Sequence, residues 1–420
     1  MTTTKEQGVW DLDEVYNKLN VGGIWVYNEQ HSAWSWGEQD FGELGVNTAG
    51  TRYSSPKQVG TDTTWSSFGN RGFGGPPGKS SSLWIKSDGT AWASGSNAYG
   101  VLGLNQGGNP YGVKYSSPVQ IGTDTTWKTA TGISKDAKVA IKTDGTMWVW
   151  GRNYYGSLAQ GYSGTQVDPN YGYRSSPVQI PGSTWENVQA GVDTNETSTL
   201  ATKSDGTLWG WGRNDDGALG DNSNTARSSP VQIPSPGPGT TTWKTERGKF
   251  SSGATCGYAI NTDNELYVWG DNDYGALGLN QGPSQLSHIS SPVQLPGSWS
   301  YIEGGRDSSF GIKTDGTAWS WGSNSNGRLG LNENGASDTL NYSSPVQLPG
   351  DWTKFVAGPW CTFGFKGTDL YAWGPNSNGI LGQGPPTSTQ YSSPVQIPGA
   401  WNDICQAGEA VWATKIEPAS

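Results

Sequence analysis

The stretch WGRNDDGALG, residues 211–220, is the part of the chain whose residue types first suggest chemistry. Closely spaced glycines with Asn and Asp between them are typical of loops that cradle a phosphate with backbone N–H groups. The same frame recurs in six more places, starting at Trp36, Ser94, Trp150, Trp269, Trp321 and Trp373. A nucleotide site occurs once or twice in a chain, whereas a turn that every repeat needs occurs in all of them. We therefore interpret this loop as architecture.

Catalytic chemistry has little support elsewhere in the sequence. His31 and His288 are the only histidines, which excludes an HExxH motif, a His-based triad and a three-His metal site. Acids such as Asp88 and Asp205 stand in Asp-Gly pairs, where Asp is typically a turn residue. The Gly- and Lys-containing segment 72–82 lacks the strand–loop–helix context of a phosphate-binding loop. The sequence predicts a protein that is not an enzyme, with no catalytic residue, metal site or cofactor.

Composition and charge narrow the class of protein further. Only 33% of the residues are hydrophobic, but there are 63 Gly and 23 Trp, which suits many short strands and a core filled by indoles. The net charge of −10 argues against a nucleic-acid partner and against a polybasic membrane anchor. No run approaches the ~20 apolar residues of a membrane helix, and the amino terminus shows no secretory signal. Cys256, Cys361 and Cys405 have no CxxC spacing and are expected to be small buried thiols.

The chain is built from seven copies of one unit. Each unit contains an SSP motif, an alternating PVQI-like stretch, a Trp, an alternating strand, a tight turn and a second, Trp-rich strand. The turn is Asp-Gly-Thr at Asp88, Asp144, Asp205 and Asp315, and Asp-Gly between alternating runs is a strong hairpin signal. Four short strands per unit predict an all-β protein, a seven-bladed β-propeller of four-stranded blades.

The same pattern predicts how the propeller is filled and closed. Paired tryptophans such as Trp319 and Trp321 stand two residues apart, so both indoles point to one face of a strand and belong to the core. We expect the ring to be closed by terminal strands, three from residues 392–415 and one from residues 32–37, which removes the edge strands. The strand-like segment 22–28 has no place in this scheme.

These motifs resemble the repeat of the regulator of chromosome condensation family of seven-bladed propellers. The frame WG-x-N-x-x-G-x-LG, then SSP-V-Q, then a hairpin with K-x-DG covers residues 31–415. The resemblance implies the propeller fold. It leaves the function open, because the family includes exchange factors for a small GTPase, a bacterial inhibitor of β-lactamase and many repeat proteins of unknown role. The departures are Ser94 for Trp, Gln39 for Asn and Ala159 for Gly, and each is expected to loosen a blade only locally.

Between LG and SSP the units differ from one another, and inserts at one slot of a repeat emerge on one face, often the binding face. Their Asn, Gln, Gly, Tyr and Ser content resembles that of antibody loops. The alternative is that they are solvated connectors. The candidate contact residues for a ligand or partner are Asn109, Tyr111, Tyr162, Asn170, Tyr171, Asn222, Gln285, His288 and Asn334.

The amino-terminal segment, residues 1–30, breaks the repeat that fills residues 31–420. Asp11 with Glu14 three residues later can cap a short helix, and Gly22 and Gly23 can end it. The apolar face of this helical arm, which would either cover the propeller or attach it to a virion, comprises Trp10, Leu12, Val15, Tyr16 and Leu19. The sequence GVWDLDEVY…GGIW is similar to segments of structural proteins of marine tailed phages.

Three functions compete on these observations. The first is a non-enzymatic phage virion protein, a fibre, tail-tip or capsid-surface propeller assembled in the host cytoplasm. Its arm would bind other virion proteins, and its loops would contact a host surface protein or glycan. The second is an intracellular protein-binding propeller of the exchange-factor or inhibitor type. The third, a glycan hydrolase or lyase, is disfavoured by the scarcity of histidine. The oligomeric state is open.

Overall fold

The computed structural model describes residues 30–68, 81–106, 112–134, 136–162, 172–191, 198–235, 242–333, 340–385 and 389–417. Within these ranges the protein is all-β, with short single turns of 3-10 helix. No helix in the described ranges is long and apolar enough to cross a membrane. The predicted helical arm and the segment 22–28 lie outside the described residues.

The strands are β1 (His31–Gly37), β2 (Tyr53–Gln58), β3 (Trp65–Phe68), β4 (Ser81–Lys86), β5 (Ala91–Ser96), β6 (Lys114–Gln120), β7 (Trp127–Ser134), β8 (Ala137–Lys142), β9 (Met147–Arg152), β10 (Tyr173–Ile180), β11 (Trp185–Ala190), β12 (Ser198–Lys203), β13 (Leu208–Gly212), β14 (Arg227–Gln232), β15 (Phe250–Ser252), β16 (Cys256–Ile260), β17 (Glu265–Asp271), β18 (His288–Gly304), β19 (Ser308–Lys313), β20 (Ala318–Ser323), β21 (Asn341–Leu348), β22 (Lys354–Ala357), β23 (Thr362–Lys366), β24 (Asp369–Pro375), β25 (Gln390–Ile397), β26 (Trp401–Ala407) and β27 (Ala410–Ile416). The 3-10 turns are Ala98–Gly100, Tyr154–Gly156, Asp273–Gly275, Ser325–Gly327 and Ser377–Gly379.

These strands form seven four-stranded antiparallel blades, as predicted. Blade 1 combines β26, β27, β1 and β2, and blades 2, 3 and 4 are β3–β6, β7–β10 and β11–β14. Blades 5 and 6 share the long strand β18, whose first half pairs with β17 and whose second half pairs with β19. Blade 7 is β22–β25. In each blade the first strand contacts the first strand of a neighbouring blade, and the SSP-containing fourth strand is the outermost.

The ring closes differently from the expected arrangement of three strands and one. β1 pairs with β27 from His31↔Ile416 to Gly37↔Ala410, and β2 pairs with the other side of β1. Blade 1 therefore takes two strands from each end of the chain. The reason is that the SSP strand is the outer strand of the preceding blade, so β25 pairs with β24 instead of beginning the closing blade.

The repeated tryptophans fill the space between blades. The rings of Trp36 and Phe363 pack edge to face across the junction of blades 1 and 7, with centroids 6.3 Å apart. Trp321 and Trp319 contact the same apolar cluster, which confirms that tryptophans two residues apart share a face. Burial of each large apolar side chain contributes roughly 1.5–3 kcal/mol. All three cysteines are buried, as expected, and none of them forms a disulfide bond.

Each blade is also hydrogen-bonded to the one before it. The indole Nε1 of Trp150 in blade 3 donates to the Val101 carbonyl of blade 2 at 2.9 Å. Equivalent bonds to the preceding blade are made by Trp36, Trp211, Trp269, Trp321 and Trp373. In the closing contact, Gly379 of blade 7 packs so tightly on Ser54 of blade 1 that an added Cβ would overlap its backbone. These bonds hold neighbouring blades at a fixed spacing around the ring.

Charged side chains also bridge blades that are not neighbours. Arg247 of blade 5 forms an ion pair with Asp403 of blade 1 at 2.8 Å, although blades 6 and 7 lie between them in the chain order. Lys354 of blade 7 pairs with the other carboxylate oxygen of Asp403. Burial alone would raise the pKa of Asp403, but Arg247 and Lys354 hold it well below its usual range.

Candidate functional site

The strand order places all the variable inserts at one end of the propeller. Because adjacent strands are antiparallel, the connections from first to second strand and from third to fourth strand emerge on the same face. We call it the variable face. The Asp-Gly turns and the connections between blades lie on the opposite face, the turn face. This arrangement agrees with the prediction that the inserts share one face.

Both described ends of the chain lie on the turn face. β1 is the third strand of its blade and runs towards the variable face, so Gln30 stands where β1 begins, at the turn face. Glu417 follows the end of β27 and its backbone N–H donates to the Gln30 carbonyl at 2.9 Å. Gln30, the first described residue, therefore lies on the side of the propeller opposite the variable inserts.

The glycine-rich loop of the WG-x-N-x-x-G frame uses its backbone N–H groups internally. In blade 2, Gly100 N–H donates to the Asn97 carbonyl at 3.1 Å, and Gly103 N–H donates to the Gly100 carbonyl at 2.9 Å. The Leu102 N–H donates to the side-chain oxygen of Asn97 at 3.1 Å. These donors are directed into the loop, so they are not presented to an anion. The interpretation of the loop as architecture is confirmed.

The buried Asn of this loop also anchors the insert that follows it. Asn272 accepts the Leu277 N–H at 3.1 Å through Oδ1 and donates through Nδ2 to the carbonyls of Gln281 and Leu286. In five other blades the side-chain oxygen of the equivalent Asn also accepts a hydrogen bond from a Leu N–H. These residues are Asn97, Asn153, Asn214, Asn324 and Asn376. One side chain thus fixes both the turn and the base of the insert, which positions the variable face on a rigid framework.

Four of the predicted contact residues lie in the described ranges, in two separate places. Tyr162 lies in blade 3, where Arg174 donates a hydrogen bond to its hydroxyl. His288 starts the outer strand of blade 5 and contacts the Asn224 amide at 3.3 Å. The Gln285 side chain accepts the Gly282 N–H at 3.2 Å and closes its own turn. The predicted contacts outside the described residues are Asn109, Tyr111, Asn170, Tyr171 and Asn334, and so are the arm residues Trp10, Leu12, Val15, Tyr16 and Leu19.

Asn222, the fourth, is exposed but has a structural role that its sequence did not reveal. Its backbone adopts φ of 59°, and its N–H donates to the Ser290 carbonyl of blade 5 at 2.8 Å. Asn47 and Asn105 make the equivalent bond to the next blade. Because Asn tolerates positive φ better than most residues, its recurrence in this slot is explained by geometry. Its predicted role in binding remains a prediction.

Three tyrosines that the sequence analysis missed lie in strained loop positions on the variable face. Tyr99, Tyr155 and Tyr274 have φ of 54°, 49° and 62°, in the sixth position of the WG-x-N-x-x-G frame. Asn326 and Asn378 occupy the same slot in blades 6 and 7 with φ of 56° each. Positive φ is unfavourable for a bulky side chain, and such strain clusters at functional sites. The sequence signal was the presence of Tyr in three blades at a position that Asn occupies, with positive φ, in two others.

Apolar and cationic groups accompany these tyrosines. Of the four large hydrophobic residues that are exposed in the described ranges, Val113, Tyr274 and Leu340 lie on the variable face, with exposed fractions of 61%, 40% and 40%. The Lys114 ammonium lies 3.8 Å from the centre of the Phe41 ring. Exposed apolar groups beside aromatic and cationic ones are typical of protein-binding surfaces.

Acidic side chains dominate other parts of the same face. Burial raises the pKa of Asp271, and the carboxylates of Asp273 and Asp216 add to that increase, while a hydrogen bond from the Asp273 N–H opposes it. Burial raises the pKa of Glu43 to about 7 even though it accepts backbone hydrogen bonds. The described residues contain no group of three or more His, Cys, Asp or Glu side chains arranged to hold a metal ion.

Comparison with known proteins agrees with this architecture. The model of the Regulator of chromosome condensation (RCC1) repeat matches residues 205–258, 263–312 and 315–364, and a second RCC1 repeat model matches residues 299–328. The Arabidopsis thaliana Ultraviolet-B receptor UVR8 is 28% identical over 257 residues, 59% of this chain and 52% of the receptor. The Homo sapiens E3 ubiquitin-protein ligase HERC2 is 25% identical over 249 residues, 58% of this chain and 5% of the ligase. The chain thus spans about half the length of the first of these relatives and a small part of the second.

Two solved structures share the fold over almost the whole chain. Prp20p from Saccharomyces cerevisiae, described with its binding properties to Gsp1p and histones, superposes with a TM-score of 0.73 at 16% identity, covering 96% of this chain and 95% of Prp20p. Human WBSCR16 superposes with a TM-score of 0.73 at 19% identity, covering 92% of this chain and 98% of WBSCR16. The similarity of the amino-terminal segment to tailed-phage proteins gains no support from these relatives. The chain carries RCC1 repeats and folds as an RCC1-like β-propeller.

Proposed function

We propose that this chain is a non-enzymatic protein-binding propeller that recognises its partner with the variable face. The observation that carries the proposal is the set of tyrosines at positive φ, Tyr99, Tyr155 and Tyr274, in a slot where Asn fits without the same strain. Left-handed backbone costs an L-residue roughly 1–2 kcal/mol, so the fold alone does not favour Tyr there. A contact with a partner would account for it, because Tyr is among the residues that dominate interface hot spots.

The framework of the face supports the proposal. The inserts are held by buried Asn side chains, as at Asn272, and each loop is packed against the next blade. A binding surface on rigid elements loses little conformational entropy when the partner docks. Prp20p, which shares the fold and is described with its binding to Gsp1p and histones, makes a protein partner the first class to test.

A random peptide library displayed on an unrelated carrier tests this proposal. Clones selected on the wild-type chain should lose binding to a variant that combines Tyr155→Asn, Tyr274→Asn and Val113→Ser. They should retain binding to Asp351→Ser, because Asp351 is exposed on the turn face. Independent clones that lose binding to the Asp351→Ser variant but keep binding to the triple variant would contradict the proposal.

The virion role inferred from the amino-terminal segment is the narrower form of this proposal. Its support is the similarity of that segment to tailed-phage structural proteins and the position of Gln30 on the turn face, which would leave the variable face pointing away from an attached particle. Deletion of residues 1–22 should leave a folded propeller and abolish its incorporation into particles. Normal incorporation of the truncated chain would contradict the virion role and favour the intracellular binder.

A further inference from the structure

Six side chains of blades 2 and 3 form two groups on the variable face, which together we call the basic-aromatic patch. Its members are Tyr99, Arg152, Tyr154, Tyr155, Tyr162 and Arg174. The Arg152 guanidinium lies between two rings, 5.0 Å from the centre of Tyr99 and 4.7 Å from that of Tyr154. The rings of Tyr154 and Tyr155 meet edge to face with centroids 4.8 Å apart. Neighbouring loops of two blades therefore build the patch together.

The second group of the patch is a pair of one cation and one aromatic ring. The Arg174 guanidinium lies 5.6 Å from the centre of the Tyr162 ring and donates to its hydroxyl. The Asn153 amide holds Tyr162 in place by donating to its carbonyl at 2.9 Å. Tyrosine and arginine side chains held in this way can meet a partner at a small cost in conformational entropy.

The charge of the patch is opposite to that of the adjoining blades. Two charged side chains of blades 2 and 3 near the variable face, Lys138 and Asp136, are buried, and the Asp136 carboxylate lies 3.7 Å from the Arg152 guanidinium. The charged side chains that the described residues expose there, fully or in part, are Lys114, Arg152 and Arg174. Those of blades 4 and 5 are Arg213 and Arg227 and five acids, Asp215, Asp216, Asp221, Asp271 and Asp273. A basic surface next to an acidic one fixes the orientation of a charged partner and repels the wrong register.

Resting on the proposed function, we infer that the basic-aromatic patch binds an acidic segment of a protein partner, one that presents Asp or Glu side chains together with apolar ones. Carboxylates on the partner would pair with Arg152 and Arg174 of the patch and with Lys114 at the variable-face end of β6. Its apolar groups would pack on the tyrosine rings. Charge-assisted bonds from guanidinium to carboxylate are among the stronger hydrogen bonds in proteins.

The surroundings favour a protein segment over a nucleic acid. A nucleic-acid strand carries a phosphate on every nucleotide and needs a basic surface along its whole path. Here the basic region ends at the acidic blades 4 and 5, and the chain as a whole carries a net charge of −10. A short acidic segment confined to blades 2 and 3 avoids this repulsion.

Calorimetric titration of the full chain with defined probes tests the inference. The probes are a short synthetic peptide of alternating Glu and Leu, the same peptide with Gln for Glu, and single-stranded oligothymidine. We expect the Glu peptide to bind, the Gln peptide to bind at least about tenfold more weakly, and the affinity for the Glu peptide to fall as salt screens the charges. Equal binding of the Glu and Gln peptides, preferred binding of oligothymidine, or no binding of the Glu peptide would overturn the inference.

Matched variants locate the site. Arg152→Ala should lower the affinity for the Glu peptide by about tenfold or more. Arg213→Ala, at the same position of the repeat in blade 4, should leave this affinity unchanged. Tyr155→Asn should also weaken binding, and an unfolding midpoint no lower than that of the wild type would show that this loss is not caused by unfolding. Equal effects of Arg152→Ala and Arg213→Ala would overturn the inference, as would concentration-dependent self-association through this face. Library clones that bind the variable face but are neither acidic nor sensitive to Arg152 would refute this inference and leave the proposed function standing.

Discussion

Trp84 occupies the space that Ser94 leaves between blades 1 and 2. In the other six blades the Ser94 slot carries the Trp whose ring packs on the preceding blade, and a small residue stands in the Trp84 slot: Ala140, Ala201, Ala259, Gly311, Gly364 and Ala413. A Cβ added to Gly45 would contact the Trp84 ring and the Ser94 hydroxyl, each at 3.3 Å. The Ser94 hydroxyl donates to the Glu43 carbonyl at 3.1 Å, which replaces the usual indole bond. Trp84 therefore compensates for the departure at Ser94. The local loosening that we expected in this blade is not observed.

This exchange predicts strong coupling between the two positions. Trp84→Ala alone should destabilise the protein by about 3–5 kcal/mol because it leaves a cavity. Ser94→Trp alone should cost about 1–3 kcal/mol because two indoles cannot share the space. The double variant should regain much of the loss. Equilibrium denaturation of all four proteins measures the coupling, and strictly additive losses would show that the two side chains do not share one site.

Removal of strain from a loop tyrosine should stabilise the propeller. Tyr274→Asn places the residue that blades 6 and 7 use into the same positive-φ slot, so the free energy of unfolding should rise by up to about 1 kcal/mol. The reverse change, Asn326→Tyr, should lower it by a similar amount. Chemical denaturation of both variants measures whether the free energy of unfolding rises in the first and falls in the second. A loss of stability in Tyr274→Asn would mean that the tyrosine ring contributes more to the fold than its backbone costs.

Glu43 makes stability depend on pH near neutrality. Its pKa is raised to about 7 in the folded protein, above its ordinary value of 4.5, because burial disfavours the carboxylate. Protonated Glu43 therefore stabilises the fold fully below about pH 4.5, and this stabilisation is lost as pH rises through 7. Glu43→Gln should be more stable than wild type at pH 8 by about 1–3 kcal/mol, with the difference much smaller at pH 5. A difference that does not change between these two pH values would contradict the assignment.

Asp403 produces the opposite dependence at low pH. Its pKa is held below the usual range by Arg247 and Lys354, so the stabilisation is present above the unfolded pKa and is lost as pH falls towards the folded value. Asp403→Asn should cost about 1–3 kcal/mol at pH 7 because it leaves two cations without their partner. Thermal unfolding of this variant should also lose part of its sensitivity to acid. Identical acid midpoints for the variant and the wild type would contradict this account of Asp403.

The repeat made much of the fold predictable, because seven occurrences of one pattern specify strand number, turn type and core face together. The prediction of how the ring closes was wrong in one respect, because the sequence does not say to which blade the SSP strand belongs. The pairing of β25 with β24 settles that. The compensation at Ser94 could have been predicted, because Trp84 replaces Ala or Gly in an aligned repeat. The predicted contact residues were chosen from composition, which does not reveal backbone strain, so Tyr99, Tyr155 and Tyr274 were missed.

Photo-cross-linking with a genetically encoded benzophenone side chain shows directly whether a protein partner binds the variable face. The reactive residue is placed at Tyr155, Tyr274 or Leu340 on the variable face, and at Asp315 or Asp351 on the turn face, in the cells that produce the chain. We expect the variable-face positions to give higher-mass adducts with one and the same protein, and the turn-face positions to give none with that protein. Adducts formed only from Asp315 and Asp351 would contradict this expectation.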